Sequence, residues 1–574
     1  MIQPLSETGP VVRNNRFLLL CVLIAIITAI VFFPSLQNGF TNWDDDAYVT
    51  RNPDIQGFTV RNVGKVFSTT YAGNYQPLTM LVYMADYSIG GLDPMVFHAT
   101  GLVIHIVNAL LVFALLYGLS GSSVAGAAAA LIFAVHPLKV ESVAWVSEQK
   151  DVLAALFFFL SLIAYRVYLK RGGRRFYGLC LLSLAFSLLS KPMAVSQPFI
   201  LVLIDYLHGK KPDSRSFAQK APFFIVAAVF AVITLFTQHS SGAINTYGSL
   251  PVIQKICVPF YGIIFYMGKI LLPVKLAALY TMPPQSDVLM NTVLLTAPLI
   301  VAGAAAVLFF LHSNSKQVMF GSLFFLITLL PVLQIVPVGP AIVADRYTYI
   351  PMIGICFLIA WMVARIVNGR LGSNAARKVV YAVVVVLIFA SGILTFQRCK
   401  VWNNDMTLWN DSIEKYPGSL AYNNRGAAYG DRGKMDQAIA DFNSAIEQDP
   451  KFAKPYNNRG LANMTLGNAN GALADFSMAI ALDGKNYDAF NNRGILYVYS
   501  NELDKAVADF STALVIKADY ARAYTNRGIA YQKKGFQDLA VRDFEKAIAL
   551  NPDDITAVEK RKQAIAARLQ TKQK

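Results

Sequence analysis

With 574 residues, 55% of them hydrophobic and only 15% charged, the chain departs from the ordinary globular balance of about 45–50% apolar and about 25% charged residues. Its net charge of +16 falls largely in short basic clusters between apolar runs, where it sets membrane orientation, and this argues against a nucleic-acid partner. Cys21, Cys180, Cys257, Cys356 and Cys399 lie in, beside or at the end of apolar runs, which supports neither a disulfide framework nor a thiolate metal site.

Apolar runs fill residues 1–400, and 401–574 is polar and rich in Asn, Asp, Lys and Arg. The expected fold is therefore all-α in two domains, a polytopic transmembrane domain followed by a helical repeat array. A crossing helix needs roughly 20 apolar residues. By that measure the spans are 17–36, 96–118, 122–136, 151–169, 176–190, 193–207, 221–237, 290–311, 317–336, 347–367 and 378–397. Pro259, Gly262, Gly268, Lys269 and Pro273 interrupt a further run at 252–272, which brings the expectation to about 11 to 13 spans. The first run is long and lacks a small-residue cleavage site, so it is expected to remain as a span.

Basic residues mark the cytoplasmic turns: Arg13 and Arg16, then Lys170, Arg171, Arg174 and Arg175, then Lys210, Lys211, Arg215 and Lys220, then Arg365, Arg370, Arg377 and Lys378. Loops 37–95, 137–150, 238–251 and 337–346 then face outward, as does everything after 397. Parity requires that 252–272 does not cross once, leaving it re-entrant, interfacial or a double pass.

The first outward loop opens with Trp43-Asp44-Asp45-Asp46. Three adjacent carboxylates repel one another, so a raised pKa or a bound cation is expected, and a positioned carboxylate there could take a proton from an acceptor hydroxyl. A solvated acidic loop start is the plainer alternative. The second outward loop runs from His136 to Asp151, where His136 and Glu141 are candidate ligands for a divalent cation and Lys150 could hold a phosphate. Lys191 and Arg346 also fall on the outward side. Three outward cations run against the positive-inside bias and suggest an anionic partner, with pairing to Glu148, Asp151 and Asp345 or to lipid headgroups as the structural alternative. His98 and His105 read as packed hydrogen-bonding groups. No Gly-rich phosphate loop and no Ser/His/Asp arrangement is present in the sequence.

The polar segment repeats with a period of 34. Asn424-Arg425-Gly426 recurs at Asn458-Arg459-Gly460, Asn492-Arg493-Gly494 and Asn526-Arg527-Gly528, followed each time by an alanine (Ala438, Ala472, Ala506, Ala540) and a phenylalanine (Phe442, Phe476, Phe510, Phe544). These are four tetratricopeptide repeats over about 419–554, with a half-repeat at 404–417 and a polar helix at 555–570 as caps. Asn424, Asn458, Asn492 and Asn526 could form an amide ladder for an extended peptide; alternatively the signature only packs neighbouring helices.

WDDDAYVTRNP at 43–53, NYQPLT at 74–79, HPLKVESVAWVSEQKDVLAALF at 136–157, SKPM at 190–193 and DRYTYIP at 345–351, followed by the repeats, resemble the transmembrane and tetratricopeptide-repeat family of O-mannosyltransferase-like proteins. More broadly they resemble the GT-C membrane glycosyltransferases. The resemblance is nearest to bacterial members and implies an inner-membrane protein with periplasmic repeats. It also implies inverting transfer of a monosaccharide from a polyprenyl-phosphate donor to a protein hydroxyl. It gives the base to Asp44 or Asp45 and the donor phosphate to Lys150, Arg346 and Lys191; Asp46, His136 and Glu141 stay, on the reading of the residues alone, supporting groups or holders of a cation. Gln76 stands where related sequences often carry arginine. Two other functions compete: a non-enzymatic membrane scaffold for envelope assembly, which has no need of the Asp triplet, and a transporter, disfavoured because ionisable residues are scarce within the spans.

Overall fold

The computed structural model describes residues 10–573 apart from 211–212, 245–250, 282–287, 313–314, 340 and 369–372. Lys211 and Arg370 of the expected cytoplasmic clusters, and the side chains of Arg13 and Arg215, lie outside the described residues. Regular structure among the described residues is helical, with only isolated bridges such as Tyr71 to Asn74 and Tyr280 to Val343. The chain forms two compact units, Met1–Tyr416 and Pro417–Lys574.

Among the described residues of the first unit six helices are long and apolar enough to cross a membrane: Asn15–Gln37, Pro94–Ser120, Val146–Arg171, Ala221–Ser240, Asn291–Phe310 and Asn374–Asn403. A seventh span is possible in length if Ser123–Ala134 and Pro137–Ala144, bent by 58°, are taken together. The other expected spans are shorter helices, among them Arg174–Ser190, Pro192–Leu207, Lys316–Val332 and Met352–Val367. Their shortening has a shared cause. Pro137, Pro192, Pro331 and Pro351 stand at the ends expected to face outward, where a missing N–H and a fixed φ turn the chain into tight helical turns. Small residues let these elements pack closely: a Cβ on Gly354 would lie 2.4 Å from the Gly321 carbonyl oxygen.

Residues 252–271 form one uninterrupted helix, Val252–Leu271, which excludes the double pass. Just before it, Ala243 accepts from the Gly339 amide at 3.2 Å. Within it, the Tyr266 hydroxyl accepts from the Ala344 amide at 3.2 Å, and near its end His136 Nε2 bonds the Ile270 carbonyl at 3.1 Å. The C-terminal end of the helix is thereby tied to the loops at 136 and 344, and the helix packs against Val288–His312, which holds the candidate span Asn291–Phe310.

In the second unit eight helices pair in sequence from Ser419–Asp431 to Gln537–Leu550, closed by Ile555–Gln573. The recurring glycine is dictated by packing: a Cβ on Gly426, Gly460, Gly494 or Gly528 would come within 2.7 Å of the phenylalanine ring sixteen residues on. The recurring arginine staples the two helices of its repeat, as Arg425 to Asp441 at 2.7 Å and Arg493 to Asp509 at 2.8 Å. Asp405–Lys415, expected as a cap of the array, instead belongs to the first unit, where Asp405 accepts from the Asn42 amide at 2.6 Å and Trp409 Nε1 donates to Asn42 Oδ1 at 2.7 Å.

Candidate active site

The first loop leaves its apolar helix through Phe33–Gln37 and turns at Trp43–Asp45 into a single π-type turn, Asp46–Thr50. This turn separates the three carboxylates. Asp45 points inward and is 1% exposed. Its Oδ2 accepts from the Thr41 amide at 2.8 Å and the Thr41 hydroxyl at 3.0 Å; its Oδ1 accepts from the Ser147 amide at 2.9 Å and from the Ser147 hydroxyl. Burial nevertheless pushes the Asp45 carboxyl up to about 6, against those four donors. Asp44 is half-buried and its carboxylate makes no hydrogen bond among the described residues. Burial raises its pKa too, with the Lys150 ammonium pulling the other way. Asp46 is half-buried at the start of the turn.

The second loop brings a charge cluster beside this pair. Glu148 is its hub, with Lys150 at 3.2 Å, Lys191 at 2.9 Å and Arg346 at 3.2 Å. Lys191 also pairs with Asp151 at 2.6 Å, and Arg346 with Glu141, whose other oxygen accepts the Arg346 amide at 2.8 Å. Three cations thus meet three carboxylates in a place that would be costly for any charge left alone. Lys150 also lies over the Tyr48 ring at 4.7 Å and Arg346 over Tyr347 at 4.9 Å. The pairing expected as the structural alternative is present for Glu148 and Asp151. Asp345 instead accepts from the Tyr280 hydroxyl at 2.9 Å. Side chains of Lys191 and Arg346 keep 13% and 12% exposure, against 6% for Lys150, so they form the accessible rim.

His136 and Glu141 do not come together as ligands. His136 spends Nε2 on the Ile270 carbonyl and Nδ1 on the Leu138 amide, capping the turn at Pro137, and Glu141 is held by Arg346. Among the described residues no group of three His, Cys, Asp or Glu could hold a metal ion, so the expected cation finds no ligand set there. His98 and His105 are packed hydrogen-bonding groups, His105 between the Tyr349 hydroxyl at 2.6 Å and the Ala134 carbonyl at 2.9 Å. Gln76 is 1% exposed and its amide nitrogen has no partner.

Four tryptophans complete the site. Trp43 stacks on Trp145 at 4.5 Å and meets Trp409 at 5.3 Å, and Trp145 stacks on Trp402 at 5.3 Å. The indole N–H groups of Trp145 and Trp402 are buried without an acceptor, a rare state for such donors. Nothing in the spacing of residues 43, 145, 402 and 409 announces this cluster; the hint available was that four of the five tryptophans flank the outward loops.

In the repeat unit the asparagines bond one another. Asn458 donates to Asn423 at 2.9 Å, Asn492 to Asn457 at 3.0 Å and Asn526 to Asn491 at 2.9 Å. The ladder exists, but it first ties each repeat to the one before. Asn424 and Asn492 are buried, whereas Asn458 and Asn526 are half-buried.

An all-helical membrane unit with a charged cluster roofed by its loops, continued by tetratricopeptide repeats, defines a polytopic membrane protein with a repeat arm. The family model described as Tetratricopeptide repeat matches 419–452 and 521–554, and that described as TPR repeat matches 496–535. The chain is 22% identical to the human Protein O-mannosyl-transferase TMTC1, over 75% of this chain and 55% of that protein. Drosophila melanogaster Protein O-mannosyl-transferase Tmtc3 is 24% identical over 76% of this chain and 55% of its own. Caenorhabditis elegans Protein O-mannosyl-transferase F38B6.6 is 23% identical over 75% and 63%. Among solved structures, the crystal structure of MamA is 29% identical, covers 25% of this chain and 85% of its own, and superposes with a TM-score of 0.24. Over about three quarters of its length the chain is thus similar to transmembrane and tetratricopeptide-repeat proteins named as O-mannosyl-transferases. It spans about half the length of the first two relatives.

Proposed function

We propose that the protein is a GT-C-type glycosyltransferase that moves a monosaccharide, mannose being the first to test, from a polyprenyl-phosphate donor to a hydroxyl of a protein acceptor, with inversion. The observation that carries this reading is the contrast between two neighbouring carboxylates. Asp45 is saturated by four donors, while Asp44 beside it is half-buried and without a hydrogen bond among the described residues. Asp44 is therefore the base. It accepts the acceptor's hydroxyl proton as that oxygen bonds to the anomeric carbon. The bond from that carbon to the phosphate oxygen breaks on the opposite face, and its electrons leave with the lipid phosphate.

Lys191 and Arg346, at the rim of the cluster, meet the phosphate, and Lys150 adds its field from behind. Together they stabilise the charge that grows on the departing group. Glu148 holds all three cations in place between turnovers. Trp43, half-buried and next to Asp44, offers an aromatic face for the sugar, backed by the buried Trp145, Trp402 and Trp409. The repeats present the acceptor on the outward face, through Asn458 and Asn526 more readily than through Asn424 and Asn492. In a bacterial cell that face is periplasmic. Similarity to the O-mannosyl-transferase relatives and the membrane unit support this scheme against the scaffold, which leaves an unsaturated carboxylate without a task.

Comparison of envelope or secretory proteins by mass spectrometry, from cells with the wild-type chain and with Asp44→Asn, tests it. Loss of a hexose from specific peptides in the variant is expected; identical glycan profiles at equal protein levels favour the scaffold.

A further inference from the structure

A second basic cavity lies away from the Glu148 cluster and shares no residue with it. Its volume is 310 Å³, and it is lined on one side by Pro137 and the loop 273–276, on the other by Leu394, Arg398 and Lys415. Three cations face it: Lys275, Arg398 and Lys415. One carboxylate serves two of them, Asp411, at 2.5 Å from each of Arg398 and Lys415. Lys275 is exposed and has no ion-pair partner among the described residues. Asp345 also acts on Arg398, so the cavity keeps an excess of about one positive charge, that of Lys275.

The loop is braced for this. Lys415 donates to the Leu276 carbonyl at 2.9 Å and Lys269 to the Val274 carbonyl at 2.6 Å. Lys275 itself is held at φ +51, a left-handed backbone that is strained for a lysine and persists only where surroundings impose it.

The flanks of the cavity are apolar and uncovered. Ile393 and Leu394 on the last turns of Asn374–Cys399 are 44% and 38% exposed, and Leu271, Leu272 and Val274 on the other side are 75%, 63% and 49% exposed. Helix Asn374–Cys399 belongs to a candidate membrane span, so one wall of the cavity continues into a face that would meet hydrocarbon. A cationic cup at the end of such a wall is suited to an anionic head with an apolar tail.

We propose that this cavity binds the phosphate head of a membrane amphiphile, with Lys275 and Arg398 on the phosphate and the chain laid along Leu394 and Val274. A soluble phosphate would use the cup and ignore the wall; an uncharged lipid would do the reverse. Two such sites, this one and the rim of the charge cluster, would let the protein hold a lipid phosphate apart from the reacting donor.

The test uses the full chain in detergent with a photoreactive farnesyl phosphate, and cross-links mapped by mass spectrometry. Labelling is expected on 273–276 and 394–401. Excess farnesyl phosphate should suppress it, whereas farnesol and inorganic phosphate should not. Lys275→Glu should lower labelling there by about tenfold, the size of a lost charge-assisted hydrogen bond. Lys275→Arg should retain it, and labelling near Lys191 and Arg346 should stay unchanged in both variants, which also shows that they fold. Equal competition by farnesol would reduce the site to an apolar crevice and overturn the proposal. Equal competition by inorganic phosphate would make the ligand a free phosphate and overturn the lipid assignment. Full labelling of Lys275→Glu would overturn the phosphate contact itself.

Discussion

Replacing Asp45 with alanine separates the pinning carboxylate from the reacting one. In the wild-type protein four donors converge on Asp45, two of them the fixed backbone amides of Thr41 and Ser147. The two hydroxyls can rotate toward other acceptors, but the amides cannot, and each buried unsatisfied N–H costs about 1–3 kcal/mol. Against this stands relief of charge burial: a carboxyl raised from 3.8 to about 6 is less stable ionised in the fold by about 3 kcal/mol at neutral pH. The two terms nearly offset, leaving Asp45→Ala destabilised by at most about 3 kcal/mol near neutrality. The sign of the pH dependence follows. A carboxyl whose folded pKa is raised lends stability that is complete below its unfolded pKa and is lost as pH rises through about 6. The variant lacks that term, so its deficit should widen as pH falls from 7 toward 5. Denaturation followed by tryptophan fluorescence in detergent reads this directly, since Trp145 adjoins Ser147. Asp44→Asn, which removes no hydrogen bond, should change stability by less than about 1 kcal/mol. An Asp45→Ala protein as stable as wild type across that range, or an Asp44→Asn protein less stable than it, would refute the assignment.

Asp86 accepts from the Thr100 hydroxyl at 2.6 Å and the Gln149 amide at 3.3 Å, and burial raises its carboxyl to about 6. Asp86→Asn, which keeps the Thr100 bond, should flatten the fall in melting temperature between about pH 4 and 6; an unchanged slope would assign the dependence elsewhere. Gly494→Ala puts a Cβ 2.7 Å from the Phe510 ring and should cost about 1–3 kcal/mol, seen as faster hydrogen exchange in Leu503–Ile516. The same change at half-buried Gly430, where a Cβ meets nothing within 4 Å, should leave exchange unaltered. A cysteine at exposed Thr465 should react with an impermeant maleimide from the outward side of intact cells; reaction only after permeabilisation would place the repeats on the other face.

The repeat array and the apolar helices were legible because each is written in a local period: 34 residues for the one, unbroken apolar runs for the other. The second use of that signature was less visible. Asn458 looks outward-reading in sequence, yet it bonds Asn423 in the preceding repeat, a contact at 35 residues that no single repeat discloses. The site residues Asp44, Asp45, Lys150, Lys191 and Arg346 could be picked out one by one, because charge beside an apolar run is costly. Their division of labour could not. Asp44 and Asp45 are chemically identical in sequence, and they part only because Thr41 and Ser147 close on one of them from segments 102 residues apart. For the same reason Glu148, the hub, read only as a neutralising partner. Trp402 and Trp409, which complete the aromatic cluster, fell beyond the expected domain boundary at 400, since polar composition begins there while packing of the first unit continues to Tyr416.

The central claim is sugar transfer with Asp44 as base. The most direct measurement uses the purified chain in liposomes, supplied with a polyprenyl-phosphate monosaccharide of known anomeric configuration and an acceptor peptide. The glycopeptide is then analysed by NMR. Wild-type protein should yield product of the opposite anomeric configuration, and Asp44→Asn, still folded, should yield none above background. Transfer by Asp44→Asn at the wild-type rate, or a product that retains the donor's configuration, would contradict the account.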